Sequence, residues 1–188
     1  MRTPVLVTLL AWAAIEIFLL LRDAARGKGS TANDRGTRLT YVAAWLGAFL
    51  IAGAASSGLR PGSAWQLGRW SAAASLVVLW TGLAVRFWAV AVLGPAFRTT
   101  VEVDAGQPVV DRGPYRFVRH PSYSGMLIIA LGAGLSFGNW LALAALAALP
   151  LAATLRRINV EEAALADVLG QPYLAYQDRT KRLVPGIW

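Results

Sequence analysis

The residues able to do chemistry collect in two stretches, Thr99–Tyr123 and Arg156–Trp188. In the second, Arg157 and Glu161 stand four apart, so a helix carries them on one face. On an ordinary surface helix such a pair is a salt bridge. Directly after a membrane helix it could instead form a site at headgroup level. In the first stretch, His120–Pro121 sits where an apolar helix begins, with Ser122 available as its cap and Pro121 at the boundary. The unpaired backbone N–H groups of such a helix start suit a carboxylate or a phosphate. An incidental histidine at a helix start explains the same residues. The chain has no cysteine, which excludes disulfides, thiolate nucleophiles and thiolate metal sites, and its single histidine is too few for a histidine-based metal site. No metal is expected.

Composition says what must position these residues. Apolar residues make up 56% of 188 positions and charged residues 15%, where a soluble domain carries about a quarter. Five apolar segments follow: Pro4–Leu21, Leu39–Ser57, Trp70–Leu93, Ser122–Phe137 and Trp140–Leu155. A helix needs roughly 20 residues to cross about 30 Å of hydrocarbon, and the first three approach or exceed that. The last two, joined by Gly138 and Asn139, have about 16 residues each and reach only about 24 Å. They read as a short helical hairpin that stops before the far surface. The first segment is followed by charges rather than a small-residue cleavage site, and reads as a retained helix. The fold expected is an all-α integral membrane protein with five transmembrane helices, one domain over residues 1–188.

The basic residues set the orientation. Arg22, Arg26, Lys28, Arg35 and Arg38 follow the first segment, Arg98, Arg112, Arg116 and Arg119 the third, and Arg156, Arg157, Arg179, Lys181 and Arg182 the fifth. The 58–69 loop holds only Arg60 and Arg69. This alternation places the N-terminus outside and the C-terminus in the cytoplasm. It also accounts for the net charge of +8, and no nucleic-acid partner is expected. Two ionisable residues fall inside spans, where they are costly. Arg86, near the end of its segment, could snorkel to the interface or serve a structural or ligand role; Glu16 is given no function. The polar loop before His120 is long for a connector. Val101–Val103 and Pro108–Val110 could be short extended pieces about an Asp104–Gly106 turn, with a further turn at Gly113–Pro114. A helix carrying Leu155, Ile158, Leu165 and Leu169 ends at Gly170, and the apolar Val184–Trp188 could return to the membrane interface.

The run GPYRFVRHPSYSG (113–125), Gly132, the Glu161–Glu162 pair and GQPYLAYQDRTKRLVPGIW (170–188) together resemble the isoprenylcysteine carboxyl methyltransferase family, which is related to the phospholipid methyltransferases. RFWAVAVLGPAF (86–97) resembles the end of that family's third helix, and the likeness covers roughly residues 80–188. It implies a membrane-embedded S-adenosylmethionine-dependent methyltransferase, with its cofactor in a cytoplasmic pocket and a lipid tail reaching the reacting centre through the bilayer. By position, Gln107, Pro108, Val109, Val110, Tyr115, His120, Pro121, Ser122 and Tyr123 would line the cofactor site, joined by Glu161 and by Glu102. Arg157 matches the substrate-side, catalytic arginine. On this reading residues 1–93 supply three N-terminal spans and 94–188 the cofactor-binding and catalytic core.

The chemistry is coherent with those residues. A carboxylate acceptor is already ionised near neutral pH and needs no general base, so the work is alignment and exclusion of water. A planar guanidinium such as Arg157 suits a carboxylate, and Glu161 could bind the cofactor's amino or hydroxyl groups. Methylating an amine would need a base, for which Glu161, Glu162 or Glu102 could serve. A non-catalytic lipid-binding protein is the third reading. The Ala/Arg/Gly-rich composition suggests a high-GC prokaryote, where the acceptor could be a small isoprenoid or fatty thioether acid. The sequence leaves the oligomeric state open.

Overall fold

Long runs of Ala, Leu and Val without proline past the first turn make three continuous helices: α1 (Thr3–Ala25), α2 (Thr37–Gly58) and α3 (Ser71–Leu93). The computed structural model describes residues 3–25, 36–58, 66–101 and 107–188. Gly94, at a φ of 56°, ends α3 in a left-handed conformation and leads into a 3-10 turn at Gly94–Ala96. A second 3-10 turn, Gly113–Arg116, falls where Gly113–Pro114 predicts one. Then come α4 (Pro121–Ser136), α5 (Trp140–Leu169) and α6 (Gln171–Arg179).

Among the described residues, four helical segments are long and apolar enough to cross a membrane: Thr3–Ala25, Thr37–Gly58, Ser71–Ala96 and Trp140–Leu169. The fourth apolar segment of the sequence is the shorter helix Pro121–Ser136. One boundary differs from expectation. The helix beginning at Trp140 does not stop near Leu155 but runs unbroken through Pro150 to Leu169, 30 residues or about 45 Å. Arg157 and Glu161 therefore ride on the same rigid rod as the apolar stretch. The segment 107–111 forms no strand, and residues 102–106, with Glu102 and the Asp104–Gly106 turn, lie outside the described residues.

Small residues decide the packing. A Cβ on Gly82 would sit 2.7 Å from the backbone nitrogen of Ile129, one on Gly125 2.7 Å from that of Arg86, and one on Gly132 2.8 Å from that of Leu79. Helices α3 and α4 thus touch backbone to backbone, the close approach that small residues permit inside a bilayer. Helix α4 packs against α5 as well, α2 chiefly against α5, and α1 against α3. Leu79, Ile129 and Leu146 are fully buried at the centre, while Leu10, Phe18, Leu21, Leu39, Leu50 and Trp80 are exposed on the outside. That much exposed apolar surface is a lipid-facing surface.

Polar contacts tie both ends. At one, Asn139 accepts from the Ala142 N–H at 2.8 Å, capping α5, and donates to Ser56 Oγ at 3.0 Å. At the other, the C-terminal tail lies against the start of α4: Arg119 N–H donates to Lys181 O at 2.7 Å and His120 N–H to Arg182 O at 3.0 Å. Ser124 Oγ adds a bond to Leu183 O at 2.7 Å. Residues 183–188 close on themselves, and the Arg182 guanidinium lies 5.4 Å from the Trp188 ring centroid.

Candidate active site

A cavity of about 410 Å³ opens where α1, α3 and the apolar part of α5 end and α2 and α4 begin. Its polar half draws on several elements. The second half of α5 brings Arg157 and Glu161, the first turn of α4 brings Ser122 and Tyr123, the 107–110 segment and the second 3-10 turn bring Gln107, Pro108, Val109, Val110 and Tyr115, and α6 brings Tyr173 and Tyr176. His120, at the cap position of α4, lines the same space.

Arg157 is buried and held flat. Its Nε donates to Tyr123 Oη at 2.8 Å, Nη2 to Thr99 O at 2.7 Å and Nη1 to Thr37 Oγ1 at 3.4 Å. Tyr123 in turn donates to Glu161 Oε2 at 2.7 Å. The helical pair therefore makes no direct salt bridge: the Tyr123 hydroxyl stands between them, and the Glu161 side chain keeps 29% exposure. Thr99, which meets Arg157 through its carbonyl, is fixed from its other side by Asp23, whose Oδ2 accepts the Thr99 N–H at 2.5 Å.

The neighbouring Glu162 does something different. One residue further along α5, it is buried and accepts from Arg119 Nε at 2.8 Å, from Arg182 Nε at 3.0 Å, and faces His120 Nε2 at 3.2 Å. Arg119 also donates to Gln177 O at 3.0 Å and to Thr180 O. Glu162 thus joins α5, the start of α4 and the tail, and of the sequence's three candidate bases it has its oxygens occupied by structural partners. Glu161 faces the cavity, and Glu102 lies outside the described residues.

All other sequence-selected residues except Pro121 line this one cavity. Pro121 is fully buried at the first position of α4. Ser122 does not cap the helix; the cap residue is His120, and the Ser122 hydroxyl accepts from Arg86 Nη1. Arg86 does not snorkel. It is buried, with Nε donating to Glu16 Oε1 at 3.0 Å and Nη2 to Glu16 Oε2 at 2.8 Å, and its guanidinium lies 5.2 Å from the Phe97 ring centroid. Both Glu16 and Arg86 line the cavity. Sequence reading also passed over an apolar half formed by Trp12, Val42, Trp45, Leu46, Phe49 and Met126. The four-residue spacing of Tyr41, Trp45 and Phe49 was the available signal.

The tyrosines outside the apolar spans are neutral donors. Burial raises the hydroxyls of Tyr115, Tyr173 and Tyr176 well above the ordinary phenol range. Tyr176 Oη donates to Tyr115 O at 2.6 Å. Tyr173 is buried on the cavity wall, and its hydroxyl has no hydrogen-bond partner among the described residues. Buried hydroxyls are normally satisfied. A ligand with polar atoms at this wall would satisfy it.

A sequence profile of the isoprenylcysteine carboxyl methyltransferase (ICMT) family matches residues 74–167, half of the chain. The chain belongs to this family. The matched residues include the Gly82–Gly125–Gly132 contact, Arg86, His120, Arg157 and the Glu161–Glu162 pair, and leave α1 and α2 outside. Protein-S-isoprenylcysteine O-methyltransferase B of Arabidopsis thaliana is 29% identical over 129 residues, 58% of this chain and 66% of that protein. Protein-S-isoprenylcysteine O-methyltransferase of Schizosaccharomyces pombe is 31% identical over 107 residues, 50% of this chain and 45% of that protein. Among solved structures, the eukaryotic intramembrane Ras methyltransferase ICMT superposes with a TM-score of 0.56 at 26% identity, covering 79% of this chain and 52% of that one. The chain spans roughly half to two thirds of the length of these relatives.

Proposed function

We propose that the protein is a membrane S-adenosylmethionine-dependent methyltransferase that esterifies the carboxylate of a lipid-linked acceptor, of the isoprenylcysteine kind named for its relatives. The observation that carries the reading is the cavity itself. Its polar end gathers Arg157, His120, Tyr123 and Glu161, and its other end runs between the apolar faces of α1 and α2.

The chain's own residues account for each requirement. Arg157, held flat by Tyr123 and Thr99, presents a guanidinium to the acceptor carboxylate and acts as the catalytic, substrate-side residue. Glu161 takes the cofactor's amino or hydroxyl groups, with Gln107, Pro108, Val109, Val110, Tyr115, His120, Ser122 and Tyr123 around it. Pro121 fixes the start of α4 beneath them, and Glu102 completes the set assigned from the family likeness. When bound, S-adenosylmethionine supplies an electrophilic methyl group on a sulfonium centre. The acceptor carboxylate needs no base, so positioning and dryness govern the rate.

The basic residues Arg22, Arg38, Arg98, Arg119, Arg156, Arg179 and Arg182 cluster in the elements around the cavity end. That asymmetry supports a cytoplasmic site with the N-terminus outside; on this reading α4 is a short fifth crossing and α4–α5 a hairpin. The half-buried Glu161 also keeps an amine N-methyltransferase as the second reading, because its cavity-facing carboxylate could serve as a base. Calorimetry with S-adenosylhomocysteine in detergent tests cofactor binding; absence of saturable binding rejects both enzyme readings and leaves a lipid-binding protein. Labelled cofactor with prenylcysteine acids separates the two enzymes: a base-labile methyl ester is expected, and a base-stable product would decide for the amine.

A further inference from the structure

Helix α2 carries Tyr41, Trp45 and Phe49 at every fourth position, so their rings share one face. Ring centroids lie 6.4 Å apart for Tyr41–Trp45 and 6.1 Å for Trp45–Phe49, and Tyr123 continues the row at 6.3 Å from Tyr41. An aromatic stripe at helical spacing ordinarily packs a core, but these rings line the cavity. At its deep end the row is stopped. No residue of α2 beyond Phe49 lines the cavity, and none of α1 before Trp12 does. Phe137, from the α4–α5 turn, packs behind Phe49 at 6.3 Å. Trp12 meets Trp45 at 5.2 Å and joins α1 to α2 at that depth. Nearer the polar end, Val42 and Leu46 line the cavity while 43% and 61% exposed, which marks a side opening towards lipid. From Tyr41 to Phe49 the stripe is about 12 Å long.

We propose that the hydrocarbon tail of the methyl acceptor lies along this aromatic face, and that Phe49, backed by Phe137, sets the longest tail the channel accepts. The inference rests on the methyltransferase reading and adds its specificity determinant. On this wall Glu16 is paired with Arg86 and with Trp12 Nε1, Trp45 Nε1 has no partner among the described residues, and the aromatic and aliphatic lining favours a hydrocarbon tail. Rigid rings order little on contact with a tail, so an added or missing isoprene unit is felt mainly at the stop.

The test is methylation kinetics of purified protein with S-geranyl, S-farnesyl and S-geranylgeranyl cysteine acids. Phe49→Ala and the milder Phe49→Leu should raise kcat/KM for the geranylgeranyl acid relative to the farnesyl acid, by about tenfold for Phe49→Ala, while Phe49→Trp shifts preference towards geranyl. S-adenosylhomocysteine affinity should be unchanged in all three, which shows an intact site. Turnover with the same tail preference in wild type and variants overturns the stop while leaving the methyltransferase reading in place. No ester from any acid with any variant overturns that reading, and this one with it.

Discussion

Arg86 of α3 and Glu16 of α1, seventy residues apart in the chain, form a two-point ion pair inside the apolar region, at 3.0 and 2.8 Å. Each alone is an expensive residue for a span; together they offset each other's charge at the cavity wall. Arg86→Ala strands the Glu16 carboxylate and should cost roughly 3 kcal/mol of stability. The check is the thermal unfolding midpoint in detergent. The double replacement Glu16→Leu with Arg86→Met should recover most of the loss, because no unpaired charge is left.

Glu161 and Glu162 should separate cleanly by assay. Glu162→Ala leaves Arg119 and His120 without their carboxylate and frees the tail, costing roughly 3 kcal/mol, with the half-exposed Arg182 contributing least. Glu161→Gln should move stability by less than about 0.5 kcal/mol and weaken S-adenosylhomocysteine binding about tenfold. Unfolding midpoints and calorimetry on the same preparations read both.

Arg157→Ala should abolish ester formation while S-adenosylhomocysteine still binds. Arg157→Lys keeps the charge without the planar fork and should recover little. Equal loss of binding and turnover would move Arg157 to the cofactor side. His120→Ala, by contrast, should weaken cofactor binding.

Tyr173→Phe is expected to have opposite effects on two measurements. Removing a buried hydroxyl without a partner should raise the stability of the ligand-free protein by about 1 kcal/mol. The same change should weaken S-adenosylhomocysteine several-fold, by deleting a donor at the cavity wall. A gain in stability with unchanged affinity would remove Tyr173 from the binding site.

Gly125→Ala should be among the most damaging methyl additions in the chain. Its Cβ would lie 2.7 Å from Arg86 N, against backbone that can yield only by separating α3 from α4. That separation carries Arg86 away from Ser122, so both midpoint and turnover should fall, whereas Gly47→Ala, with open space around it, should be neutral.

Much was legible in the chain itself. Apolar run lengths determine the helices, because a bilayer admits only segments that satisfy their own backbone. The spaced Arg119–His120–Pro121, Gly132 and Glu161–Glu162 carry the family, and a residue-by-residue likeness selects the side chains that the fold gathers around one cavity. Local sequence could not separate Glu161 from Glu162, since adjacent residues on a helix differ only in azimuth. Packing against Arg119 and the C-terminal tail decided which one is buried. Nor could it unite Glu16 with Arg86, or turn Tyr41, Trp45 and Phe49 from a stripe into a wall. Those depend on where helices cross, and α3 and α4 cross where glycines let two backbones touch. Sequence thus determined which residues could do chemistry; only the tertiary contacts decided which of them face the cavity and which hold the protein together.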